Sequence, residues 1–418
     1  MLDYFVRSVA LRNVRHNLGH TLLTVGVVAT SVTLIIFLVA LIGGLQRRLV
    51  SSVTGAIPHV IIRQPERQPT AVWEVPSLQK SGEASFGRKV EIEQKKRKIE
   101  DWPVWIIRIR EFDHNIIAVS PVVEGQGIIS RGAYKKSVLI TGVIPEEHNR
   151  VVDIQSKLVQ GRFFGLNAGE IALGYQLAEN FAVQLGDKIR LVSAENNEAA
   201  YTVAGIFDTG FSAVDTGSVF LSLRDAQSLF GLGTAVTSIG VKLNEIFDAD
   251  SIAARLSLQV PYETRSWMQD NQTLLSGLRA QSQSSNLIIV FTVVASGFGI
   301  ASILVMSVVS KVREIGILRS MGGTRRQIMG VFALEGTLVA VLGGLIGEVL
   351  GTGLCLWLGS LKTTASATGR QVEIFAMDLN LQTLVLAFAL ALATGFLASL
   401  YPAWRAARVN PIEVIRAT

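Results

Sequence analysis

Hydrophobic positions along this chain fall into blocks of two kinds. Four stretches are apolar almost without a break, at residues 21–45, 286–310, 328–358 and 381–401. Each reaches the roughly 20 residues that a helix needs to span a hydrocarbon layer. The third contains Glu335 and Glu348, and the other three carry no charge. Between the first and second blocks the pattern changes to short alternating runs in polar sequence. That interval is about 240 residues, long enough for a folded domain. Strands are predicted at 59–63, 116–123, 137–143, 188–193, 200–207, 217–223 and 237–243, and helices at 174–182, 224–230 and 248–258. Leu185-Gly186-Asp187 marks a turn. The predicted fold class is an α-helical membrane protein with four transmembrane helices. A large α+β extracytoplasmic domain lies between helices 1 and 2.

Composition agrees with a chain that is partly in lipid. Of its 418 residues 49% are hydrophobic and only 17% charged, and the mean hydropathy is +0.40. So few charges would not cover a soluble surface of this size. They also exclude a disordered chain and a nucleic-acid binder. The single cysteine, Cys355, excludes an internal disulfide framework. A cleaved signal peptide is a poor reading of the first block, because its apolar core of about 25 residues exceeds the usual 7–15. Arg7, Arg12 and Arg15 precede it, Lys311, Arg313, Arg319, Arg325 and Arg326 follow the second block, and Arg405, Arg408 and Arg416 follow the fourth. By the positive-inside rule these segments are cytoplasmic and the domain at 46–285 is external; Arg47 and Arg48 stand as exceptions. The expected map is a cytoplasmic amphipathic segment 1–20, spans at the four blocks, a coupling segment 311–327, an external loop 359–380 and a cytoplasmic tail 402–418.

Candidate chemistry is sparse. No G-x-x-x-x-G-K-[ST] and no H-E-x-x-H occurs, and the five histidines are scattered. Glu146-Glu147-His148 reads as a turn after Pro145 and not as a metal site, so no catalytic and no metal residue is assigned. Residues 64–101 form a basic insertion, with Arg67, Lys80, Arg88, Lys89, Lys95, Lys96, Arg97 and Lys98, beginning Pro-rich and ending helix-like. A solvated surface is the preferred reading, with a docking arm for an acidic partner or anionic head groups as the alternative. The segment 311–327 is more informative. Ile315, Leu318 and Met321 or Gly322 share a helical face, Gly322-Gly323 breaks the helix, and Thr324 with Gln327 makes a capping-box pattern. The helix that follows is about 50 Å long at 1.5 Å per residue, more than a bilayer core requires.

The run Lys311-Val-Arg-Glu-Ile-Gly-Ile-Leu-Arg-Ser-Met-Gly-Gly-Thr-Arg-Arg-Gln-Ile328 resembles the coupling segment of MacB/FtsX/Lol-type ABC-transporter permeases. The ending Tyr401-Pro-Ala-Trp-Arg-Ala-Ala-Arg-Val-Asn-Pro-Ile-Glu-Val-Ile-Arg416 is similar to their carboxyl terminus. Four passages look like the lipoprotein-releasing LolC/LolE type: Gly44-Leu-Gln-Arg-Arg-Leu, Ile57-Pro-His-Val-Ile-Ile62, Phe207-Asp-Thr-Gly with Ser222-Leu-Arg-Asp-Ala-Gln227, and Trp267-Met-Gln-Asp-Asn271. The resemblance implies a non-enzymatic permease subunit in the bacterial inner membrane with its large domain in the periplasm. Its partners would be a dimer of separate ABC ATPases that bind ATP and Mg, a second permease copy or paralogue, a lipoprotein or lipid substrate, and a periplasmic carrier. It implies ATPase coupling through Glu314, Gly316, Arg319, Met321, Gly322 and Arg325, and substrate contact at Leu41, Leu45, Ile288 and Phe291. A MacB-type efflux permease and an FtsX-like signalling subunit are the alternatives. Two residue-level readings stand beside it. Apolar spans without ionisable groups suit acyl chains better than ions or sugars, and Gly343, Gly347 and Gly351 have the small-xxx-small spacing of close helix packing, between subunits or within one bundle. Glu348, beside that stripe, is an intramembrane acid and so a functional candidate.

Overall fold

A computed structural model describes residues 6, 8–13, 18–65, 98–364 and 371–409. Most of the basic insertion, the last residues of the tail and Arg7, Arg15 and Arg416 lie outside the described residues. Contacts divide the chain into two compact units, Met1–Leu49 with Ser276–Thr418, and Val50–Leu275.

The first unit is built on the helices Leu18–Thr54, Gln272–Ser310, Arg325–Gly359 and Leu381–Ala407, each long and apolar enough to cross a membrane. All four extend beyond the apolar blocks at one or both ends. Hydropathy marks what lipid can solvate, whereas the helical hydrogen-bond ladder continues into polar sequence until a cap ends it. The third helix is the packing centre, and small residues make it so. A methyl added at Gly343 would lie 2.6 Å from Val28 Cβ, and one at Gly347 would lie 2.7 Å from both Ala29 O and Val32 Cβ. Gly351 faces Ile36 in the same way. Thr33 Oγ1 donates to the Gly347 carbonyl at 3.1 Å across this contact. The glycine stripe is therefore spent on the first helix of the same chain. A second seam, through Gly336 and Gly395, brings the third helix equally close to the fourth.

At one end of this unit the connection between the third and fourth helices is stitched to the first. The Asp378 N–H donates to Ala40 O at 2.9 Å. Arg47 pairs with Asp378 at 2.6 Å, and Arg48 donates to Glu373 O at 2.9 Å. Gly44 lies so close that an added methyl would overlap Ala376 O. The two arginines that break the positive-inside pattern thus have local partners.

The second unit holds a ten-stranded mixed sheet of order β10-β1-β9-β2-β3-β8-β5-β7-β4, with β6 pairing β2 and β7. The strands are β1 (Val60–Arg63), β2 (Ile116–Arg131), β3 (Tyr134–Val143), β4 (Leu158–Gly161), β5 (Glu170–Gly174), β6 (Lys188–Ser193), β7 (Glu198–Phe207), β8 (Ser218–Ser222), β9 (Ser238–Leu243) and β10 (Glu263–Ser266). β1 and β10 pair antiparallel, with Val60 opposite Ser266, so the chain enters and leaves this unit side by side. Two buried residues secure that base. His59 Nδ1 accepts the Leu243 N–H at 3.1 Å, and Trp267, 1% exposed, donates its indole N–H to Ile246 O at 2.8 Å. The Phe207-Asp-Thr-Gly passage is a turn tied by Asp215, whose Oδ1 accepts from the Thr209 N–H at 2.8 Å and from its hydroxyl at 2.7 Å.

Two expectations change here. Residues following Ile144 form a helix, Pro145–Val151, instead of a turn; Pro at the first position suits a helix start. The helix-like reading at the end of the insertion falls mostly outside the described residues, and the next described helix is Trp102–Arg110. Strands β4, β5 and β10, absent from the predicted pattern, complete the sheet.

Candidate coupling elbow and lipid-facing groove

The second long helix ends at Ser310, Lys311 leaves helical geometry, and a separate helix Val312–Ser320 follows. Its end has a specific chemistry. The Gly322 N–H reaches Arg319 O at 3.1 Å and the Gly323 N–H reaches Leu318 O at 3.0 Å, the paired bonds of a Schellman ending. Gly322 has φ +99, which side chains rarely tolerate. At Gly323 an added methyl would lie 2.7 Å from Leu318 O. The chain then restarts at Thr324, whose hydroxyl accepts the Gln327 N–H at 3.3 Å while its own N–H donates to Gln327 Oε1 at 2.8 Å. The predicted capping box is present.

This elbow packs on the bundle through Ile315, with Val308, Ile328, Phe332, Ala403 and Ala406 around it and Leu318 and Val409 at its margin. Met321 does not continue that face. It is the C-cap, turned outward and 80% exposed, because the helix ends one residue earlier. Gly316 is buried. Arg319 is turned inward: its guanidinium donates to Ala407 O at 3.3 Å and to Val409 O, binding the terminal carbonyls of the fourth helix. Glu314, Met321, Gly322 and Arg325 are exposed. The coupling residues named from the resemblance thus separate into an outward set of four and an inward pair. Ile317, 48% exposed and one turn before Met321, joins the outward set. Its i, i+4 spacing from Met321 was the available signal for it.

An open groove of about 660 Å³ runs along the first and second helices, and its walls include Leu23, Val27, Leu34 and Ala295 together with Thr30 and Thr292. Three of its hydroxyls bond within their own helices: Thr30 Oγ1 donates to Gly26 O at 2.8 Å, Ser31 Oγ to Val27 O at 2.9 Å and Thr292 Oγ1 to Ile288 O at 2.8 Å. Ser296 also lines the groove, and the rest of the lining is apolar. Leu41, Leu45, Ile288 and Phe291 do not line this groove. Leu45, Ile288 and Phe291 are exposed and Leu41 is half-buried. They sit on the same two helices nearer to Gln46, which donates to Ser282 Oγ at 2.7 Å.

Of the two carboxylates in the third helix, Glu348 is half-buried without a bonded partner among the described residues, whereas Glu335 is 5% exposed. Asn13 donates to Glu335 Oε2 at 3.4 Å. Sequence reasoning dwelt on Glu348 because of the neighbouring glycines and passed over Glu335. Among the described residues no three His, Cys, Asp or Glu side chains converge as metal ligands. His148 is buried, 5.6 Å from the Phe220 ring.

Family comparison assigns residues 21–258 to the MacB-like periplasmic core domain and residues 286–411 to the FtsX-like permease C-terminal domain. The lipoprotein-releasing system transmembrane protein LolC of Xylella fastidiosa (strain Temecula1) is 26% identical over 341 residues, covering 76% of this chain and 82% of that protein. LolC of Neisseria meningitidis serogroup B is 23% identical over 419 residues, covering 95% and 94%. LolE of Haemophilus influenzae is 25% identical over 323 residues, covering 72% and 77%.

Proposed function

The chain belongs to the permease family that joins a MacB-like periplasmic core domain to an FtsX-like helix bundle, and from that premise we propose that it is the membrane subunit of an ABC transporter that releases lipoproteins from the outer leaflet of the bacterial inner membrane. The observation that carries the reading is the similarity to LolC over nearly the whole length of both chains. The groove supports it, because a mostly apolar cleft lined without an ionisable side chain offers acyl chains contact.

In this reading ATP and Mg are held by separate ATPase subunits, and a second permease, identical or paralogous, completes the membrane part. Glu314, Ile317, Met321, Gly322 and Arg325 form the ATPase contact, while Gly316 and Arg319 fix the elbow to the bundle. ATP-driven closure of the ATPases pushes the elbow. The helices Leu18–Thr54 and Gln272–Ser310 each include the residues at which the chain passes from one unit to the other. The acyl anchor is expelled from the groove toward a periplasmic carrier.

The test is reconstitution of the permease with its ATPase in nanodiscs loaded with a triacylated lipoprotein. Lipoprotein leaving the disc only when ATP is added is the expected result. ATP hydrolysis stimulated by a small drug or a cell-wall hydrolase, with the lipoprotein retained, overturns the reading. Filling the groove by Ala295→Trp should reduce lipoprotein retained before ATP addition by roughly tenfold, the equivalent of about 1.4 kcal/mol of binding, while the ATPase still co-purifies.

A further inference from the structure

Buried polar atoms without hydrogen-bond partners are rare in folded proteins, and each one asks for an explanation. Among the described residues, three of them fall close together in the chain: Ser307 Oγ, Lys311 Nζ and Arg319 Nε. All belong to the elbow or to the turn of helix leading into it. Lys311 is the pivot, since it is the residue at which the second long helix stops and the coupling helix begins. Its ammonium has three donors to place and is buried with no acceptor.

The acceptor is nearby. Glu335 lies in the third helix, ten residues after Arg325, or roughly 15 Å along the axis at 1.5 Å per residue. It is 5% exposed, and its bonded contact is the long one from Asn13. Val308, one turn before Lys311, and Phe332, one turn before Glu335, belong to one buried cluster, yet Lys311 Nζ has no hydrogen-bond partner. A buried ammonium with no acceptor at the break between two helices, and a buried carboxyl group with one long contact on the helix that follows, describe an open pair. An uncompensated buried charge is strongly unfavourable, and contact with its counterpart relieves it.

We propose that Lys311 and Glu335 are the two halves of a buried latch: pushing the coupling helix turns it about Lys311, the ammonium docks on the Glu335 carboxylate, and the third helix moves with the elbow. Both are positioning residues that act through the helices. The proposal rests on the reading of the elbow as the ATPase contact. Asn13, from the segment before the first long helix, holds the carboxylate until the ammonium arrives. Glu314, one turn beyond Lys311 on the coupling helix, is exposed and does not compete. The expected consequence is that ATP hydrolysis and lipoprotein release are coupled through this pair, without either residue touching nucleotide or cargo.

The test uses the full permease–ATPase complex in lipid. Three readouts are taken: ATPase co-purification, release per ATP hydrolysed, and amide-exchange protection of residues 312–320 with ATP and vanadate. Lys311→Met and Glu335→Gln should each keep the ATPase bound and hydrolysis within about twofold, while release per ATP falls roughly tenfold. The double variant should be no worse than either single one, as for residues that act as a pair. Lys311→Arg, which keeps the charge and donors, should retain coupling and the ATP-dependent protection. Additive losses, wild-type coupling in both single variants, or failure of Lys311→Arg alongside Lys311→Met overturns the latch. If the wild-type complex hydrolyses ATP but releases no lipoprotein, the functional reading fails separately. The non-additivity is then read from elbow protection alone.

Discussion

Arg319 shows how much one side chain's direction changes its meaning. Its place in the basic elbow suggested an outward contact, but it binds the carbonyls of Ala407 and Val409. A cation at a helix C-terminus is favourable, and a hydrogen bond from a charged group contributes about 1.5–3 kcal/mol. Arg319→Ala should therefore raise amide exchange at residues 403–409 by roughly tenfold or more, measured by mass spectrometry, with the ATPase still bound. His148 gives the pH prediction. Burial lowers its pKa from 6.5 to about 4, so the unfolded chain takes the proton more readily than the folded one. Stability is complete above about pH 6.5 and is lost as the pH falls toward 4, on the order of 3 kcal/mol in all. His59, lowered by burial as well, contributes with the same sign. Thermal unfolding of the detergent-purified chain from pH 7 to pH 4 should show the loss, and His148→Leu should flatten the profile; an unchanged slope would exclude His148 as its source.

At the scale of elements, the long helices were legible because an uninterrupted apolar run over a bilayer's thickness has few other solutions. The elbow was legible for another reason: Gly322, Gly323, Thr324 and Gln327 each satisfy a backbone group locally, so their chemistry needs no distant partner. Strands β4 and β10 hid because four residues of mixed polarity carry almost no period. β2 was half-read, since Gly125 and Gly127 interrupt its alternation. Those glycines are explained by what faces them, the Phe230 ring and Ile140, at distances no side chain allows. The glycine stripe of the third helix yields the prediction for this scale. Gly347→Leu must separate the first and third helices and should destabilise the bundle by about 1–3 kcal/mol, read as a lower detergent melting temperature. Gly353→Leu, where a side chain meets nothing within 4 Å, should stay within about 0.5 kcal/mol. Equal effects would show that the stripe does not mediate this packing.

For the whole molecule, the division of labour follows from solvent. Residues 50–275 bury their apolar surface between a sheet and its helices, as a water-soluble domain does. The bundle leaves Leu287, Phe291, Phe298, Val349 and Leu381 on its surface, which only lipid or another apolar partner covers. The nanodisc release experiment is the prediction at this scale, and the groove variant Ala295→Trp separates cargo binding from ATPase binding within it.

Some of this was settled by local sequence, because the governing interaction was short in range. Apolar length decided the four long helices among the described residues, backbone capping decided where the elbow bends, and one continuous polar interval decided that a separate domain follows the first of them. Other features depend on which residues distant in the chain are brought together, and no period or motif encodes that. The glycine stripe faces the first helix, Arg47 meets Asp378, Arg319 turns to the fourth helix, and Glu335 instead of Glu348 is the buried carboxylate. In each case the deciding quantity is the desolvation or satisfaction of a group by a partner far away in sequence, and only the folded chain sets it.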